Sequence, residues 1–127
     1  MKYKTLPLGT PAMVIEPDTR QSSVYLGSLR EAGYSPIAVH TEVEALRQMR
    51  LFKPRLVLIS ASLPNFSDLV SLIRAHEYIY EQRAWIFLFA DYQIISNTVD
   101  LVDLVLMPPV RFEQMRDLAL RFRRCIV

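Results

Sequence analysis

Apolar positions fall into five short runs along this chain: Pro11-Ala12-Met13-Val14-Ile15, Pro36-Ile37-Ala38-Val39, Leu56-Val57-Leu58-Ile59, Ala84 through Ala90, and Leu104-Val105-Leu106-Met107. None alternates with polar residues, so each predicts a strand covered on both faces, as in a parallel sheet. The segments between them follow the helical period instead. Ser22, Tyr25, Leu26 and Leu29 stand at i, i+3, i+4 and i+7 in a helix predicted over Thr19 to Ala32, capped by Asp18 or Thr19 and stopped by Gly33. Thr41 with Glu44 forms a capping box for a second helix, whose inner face is Ala45, Leu46 and Met49 and whose end is Lys53-Pro54. A third helix starts at Ser67 or Asp68 with Leu69, Leu72, Ile73 and His76 on one side. A short fourth pattern between Asp91 and Val102 turns Ile94, Ile95, Thr98 and Val102 inward, and a last helix carries Phe112, Met115, Ala119 and Phe122 on one stripe. Five strands alternating with five helices are the sequence form of a doubly wound parallel α/β sheet with right-handed crossovers.

The third run is the most telling. It is bounded by Pro54 and Pro64, reads as the central strand, and stops at Ser60. In open α/β sheets, ligands and chemistry collect outside the carboxyl ends of the strands, which places the expected functional crevice beside Ser60.

Composition narrows the possibilities further. The 127 residues fit one domain, with residues 1–10 expected as a flexible leader and 11–127 as the folded unit. With 51% hydrophobic and 22% charged residues the chain reads as globular, and no apolar run approaches the roughly 20 residues that span a bilayer. The first residues lack the apolar core of a secretory signal, so a cytoplasmic protein without membrane contact is expected. Cys125 is the only cysteine, which excludes an internal disulfide and a cysteine-based metal site.

The net charge of +2 is too small to argue for nucleic acid, but it is unevenly spread. Residues 1–54 carry seven bases and five acids, 55–110 three and six, and 111–127 five and two. The basic end is one arginine-rich amphipathic helix, read as a solvated face. His40 and His76 lie in different segments and suggest no metal pair. The three glycines, Gly9, Gly27 and Gly33, form no phosphate loop, and no Ser/His/Asp arrangement is recognisable. The expectation is a protein that is not an enzyme and holds no cofactor or metal.

Several ordered pieces together resemble one family. Val14-Ile15-Glu16-Pro17-Asp18, Glu31-Ala32-Gly33-Tyr34, Glu44-Ala45-Leu46, and Lys53-Pro54 through Ile59 followed by Leu63-Pro64 are similar to the receiver (CheY-like) domain of two-component response regulators. The resemblance covers residues 12 to 124 and implies a flavodoxin-like fold with strand order 2-1-3-4-5 and helices on both faces. Receivers accept a phosphoryl group on an aspartate at the end of strand three, beside magnesium held by acids at the end of strand one. By resemblance, the aspartate falls on Ser60, the metal-binding acids on Glu16 and Pro17 with Asp18 next to them, the switch hydroxyl on Phe89 and the lysine on Met107. A serine hydroxyl has no anionic form near pH 7, proline offers no side-chain oxygen, phenylalanine has no hydroxyl and methionine no charge. The resemblance therefore implies a pseudo-receiver without aspartyl phosphorylation.

From Phe89 to Met107 the chain is about one helical turn shorter than the family pattern, which implies a stunted fourth helix. In the family the face of helix four, strand five and helix five is the common interface. Here Asp100, Asp103, Arg111 and Arg116 are the candidate contacts, for a homodimer or for another signalling protein. The function expected is a phosphorylation-independent protein interaction module in signal transduction. The alternatives are the receiver half of a transcription regulator, whose DNA-binding part would lie beyond Val127, and a small-ligand binder using Ser60, Ser62 and Asn65.

Overall fold

A computed structural model of the chain describes residues 5–80, 83–91 and 100–124. Its strands are β1 (Thr10–Ile15), β2 (Tyr34–Val39), β3 (Leu56–Ser60), β4 (Trp85–Phe89) and β5 (Leu104–Leu106). The helices among the described residues are α1 (Thr19–Glu31), α2 (Glu42–Phe52), α3 (Phe66–Tyr80) and α4 (Phe112–Arg123). All strand pairs are parallel and the sheet runs β2-β1-β3-β4-β5, the doubly wound order expected.

The continuous apolar runs divide residue by residue between two layers, because successive side chains leave a strand on opposite faces. Met13, Ile15, Val57, Ile59, Ile86 and Leu88 face α2 and α3, where they meet Ala45, Met49, Leu69, Val70 and Ile73. Ala12, Val14, Leu56, Leu58, Phe87 and Phe89 face α1 and α4, where they meet Tyr25, Leu29, Met115 and Ala119. Every residue of β3 is buried, as a central strand with helices on both faces requires.

Local chemistry sets the element ends. The Asp18 carboxylate caps α1 by accepting the Arg20 and Gln21 N–H groups at 2.8 and 3.2 Å. Gly33, at φ +98°, takes the chain out of that helix through a conformation other residues rarely adopt. The Thr41 hydroxyl caps α2 at the Glu44 N–H, and Lys53 in the left-handed region ends it. Asn65, at φ +61°, turns the chain into α3, which begins at Phe66, ahead of the expected Ser67 or Asp68.

β2 starts two residues before the predicted run and contains Pro36, which is tolerated because β2 is an edge strand and has a neighbour on one side only. Leu72, expected on the inner side of α3, faces out, and Val70 takes an inward place. Most of the short helix expected between Asp91 and Val102 lies outside the described residues, including Ile94, Ile95 and Thr98. Of the flexible leader expected over residues 1–10, the structure describes residues 5–10. Leu6 is buried against the α1 and α4 layer, its N–H donates to the Arg123 carbonyl at 2.7 Å, and Thr10 already belongs to β1. The burial of Leu6 and the backbone bond to Arg123 tie this segment to the domain. Among the described residues no helix is long and apolar enough to cross a membrane.

Candidate functional site

The strand order reverses between β1 and β3: from β1 the chain moves outward to β2, and from β3 it moves the other way to β4 and β5. The loops that leave these two strands diverge, and a crevice opens at their carboxyl ends. Glu16, Pro17 and Asp18 leave β1 there, and Ser60 closes β3 opposite Phe89 of β4. The structure thus gathers Glu16, Asp18, Ser60 and Phe89 at one end of the sheet, where the sequence placed them.

Their bonding is mostly internal. Glu16 is buried, and its Oε2 accepts the Asp18 N–H at 3.3 Å. Its backbone carbonyl lies 2.9 Å from Nδ1 of His40, which makes Nδ1 the protonated nitrogen. Burial raises the Glu16 carboxyl above its ordinary 4.5, against the opposing pull of the Asp18 N–H and the Ser60 hydroxyl. Asp18 spends Oδ1 on the first turn of α1. Ser60 Oγ sits 2.7 Å from Ser62 Oγ and accepts the Ser62 N–H at 3.2 Å, so the hydroxyl is held in the turn after β3.

On the α1 side the crevice is filled by aromatic rings. Phe89 is buried and stacks on Tyr25 of α1, with ring centroids 4.6 Å apart and planes 18° from parallel. Burial also pushes the Tyr25 hydroxyl above its usual range. Sequence reasoning put Tyr25 on the inner stripe of its helix, but it had no signal that this ring meets Phe89 across the layer. Met107 follows β5 and is 53% exposed, so it neither fills the crevice nor supplies a charge to it; the Pro108–Pro109 peptide behind it is cis.

A magnesium ion, which the resemblance implies for this place, does not fit the groups present. Pro17 has no side-chain oxygen, the Glu16 carboxyl is buried, and Oδ1 of Asp18 is engaged as a helix cap. Among the described residues no three His, Cys, Asp or Glu side chains stand together as a metal site.

The four candidate interface residues differ in how far their charges are already engaged. Asp103 lies at the start of β5, at the far end of the sheet from the crevice. Its Oδ2 accepts from Arg74 Nη2 and from the Ile86 N–H, both at 2.8 Å, while Oδ1 accepts from Arg83 at 2.8 Å. It is a structural tie rather than a free contact. Arg116 bonds Glu31 of α1 at 3.1 Å and its neighbour Asp117 at 3.0 Å. Asp100 and Arg111 remain exposed.

No protein-family model matches the chain. No curated protein matches its sequence. Solved structures do match its fold. The receiver domain (CheY-like) of a response regulator from Methylobacillus flagellatus superimposes with a TM-score of 0.78 at 19% identity, over 90% of this chain and 98% of that one. A two-component response regulator from Clostridium difficile gives 0.74 at 21% identity, over 88% and 96%. An orphan response regulator of H. pylori gives 0.71 at 14% identity, over 91% and 95%. At such identities the likeness establishes a CheY-like, flavodoxin-like fold and leaves the chemistry to be argued from the residues.

Proposed function

We propose that this chain is a response-regulator receiver of the two-component signalling type that has lost aspartyl phosphorylation, is not an enzyme, and acts by binding another protein. The observation that carries this reading is the pairing of Ser60 with Phe89 at the crevice. Where a receiver would need a carboxylate nucleophile and a small hydroxyl donor, a neutral hydroxyl is tied to Ser62 and an aromatic ring is locked against Tyr25. An acyl phosphate forms only on a carboxylate, and a three-oxygen phosphoryl group needs a cation and donors around it. The fold's usual chemical step has no group here to perform it, which leaves binding to another protein as the role this reading assigns to the fold.

The test is a titration of the chain with magnesium and beryllofluoride, a phosphoryl mimic, followed by amide NMR. Shifts confined to non-saturating, salt-like changes are expected. Saturable shifts around Glu16, Ser60 and Phe89, or a base-labile phosphate found by mass spectrometry after acetyl phosphate treatment, would overturn the proposal.

A further inference from the structure

The side of the sheet away from α1 and α4 carries a groove of about 640 Å³ between α2 and α3. That is within the roughly 300–1,000 Å³ of pockets that hold ligands or anchoring side chains. Three features set it apart from an ordinary surface. Val43, Leu51 and Leu72 are 70%, 76% and 45% exposed, and all three line it. Arg47 and Arg50 also line it, and among the described residues neither guanidinium has an ion-pair or hydrogen-bond partner. No carboxylate is among the lining residues.

An elongated apolar floor between two helices matches the helix-in-groove mode of recognition. Arg47 and Arg50 decide the character of the guest. A second copy of this chain seated groove to groove would bring the same two arginines and, from the lining residues, no carboxylate to pair with them. A neutral apolar ligand would make no use of either cation. A helix with carboxylates flanking its apolar stripe satisfies floor and rim together.

We propose that the α2–α3 groove docks an acidic amphipathic helix of a partner protein, its leucine-type side chains at i, i+3, i+4 and i+7 on the Val43, Leu51 and Leu72 floor and its carboxylates on Arg47 and Arg50. The proposal rests on the interaction role given above for the existence of a protein partner, but it does not depend on the crevice being inert. The two fail separately, since beryllofluoride reports on the crevice at the carboxyl end of β3 and peptide binding on the groove between α2 and α3.

The probe is a fluorescein-labelled helical peptide of about 16 residues, with leucines at those four spacings and glutamates beside them, together with a twin carrying lysines in place of the glutamates. Titrated with the full chain and read by anisotropy, the glutamate peptide is expected to bind saturably and its lysine twin at least tenfold more weakly. The double variant Arg47→Glu, Arg50→Glu should reverse that preference and Leu72→Asp should abolish binding, whereas Arg111→Glu on the far layer should change nothing. These side chains are exposed, so the variants keep the fold, and urea midpoints check that they do. Absence of binding, equal binding of the twins, or amide shifts that map to α1 and α4 would each overturn the proposal. So would a dimer seen by light scattering that Leu72→Asp dissolves, because a second copy would then be the occupant.

Discussion

Glu16 is an acid placed where the fold gives it little water. Its carboxyl titrates above 4.5 in the folded chain because burial disfavours the charged form. Between the unfolded and folded values the native state holds more protons than the unfolded chain, so stability falls as pH rises through that window. Glu16→Gln removes the titration. It is expected to gain stability relative to the parent chain as pH climbs from below 4.5 to neutrality, with the gain levelling off above the folded value. Urea midpoints over that range check this, and a gain largest in acid would reverse the sign of the argument. The residue types at this site were legible in the sequence, because the lack of a carboxylate at Ser60 or a hydroxyl at Phe89 needs no coordinates. Their partners were not. The Tyr25 ring and the Ser62 hydroxyl reach the site through packing between α1 and the sheet and through the turn after β3.

At the scale of elements, the join between α3, β4 and β5 depends on one ion network. Arg74 on α3 bonds Glu77 and Asp103, and also the carbonyls of Leu101 and Ala84. Glu77 Oε1 accepts the Ala84 N–H at 2.6 Å, and Asp103 accepts the Ile86 N–H as β4 begins. Asp103→Ala removes the acceptor of Arg74 Nη2 and of the Ile86 N–H at once, and should cost about 2–4 kcal/mol in urea unfolding with little dependence on salt. A cost that vanished at high salt would mark Asp103 as a surface charge, the role the charge pattern suggested. That pattern misled because a one-dimensional count cannot tell a carboxylate that faces water from one that meets an arginine 29 residues earlier in the chain. The long strands and helices were better marked. Caps at Asp18 and Thr41 and stops at Gly33 and Lys53 are local chemistry, complete within a few residues of sequence.

For the whole molecule, protection should follow position in the sheet. β3 is central and buried throughout, whereas β5 is a three-residue edge of intermediate burial. Amide hydrogen exchange is expected to be slowest at Val57 to Ile59 and markedly faster at Leu104 to Leu106, since edges open without disturbing the core. Comparable rates in both strands would mean the sheet opens only as a unit. The alternation of apolar runs with helical stripes already implied this layered fold, because burying both faces of parallel strands leaves few other arrangements. The residues at the strand ends, Ser60 and Phe89, were likewise legible as a neutral hydroxyl and an apolar ring. Only the tertiary structure decided that Phe89 stacks on Tyr25, that Asp103 is a tie inside the protein, and that Val43, Leu51 and Leu72 stay outside it. Those outcomes depend on which side chains meet across layers, and such contacts join residues far apart in the chain that no local spacing relates.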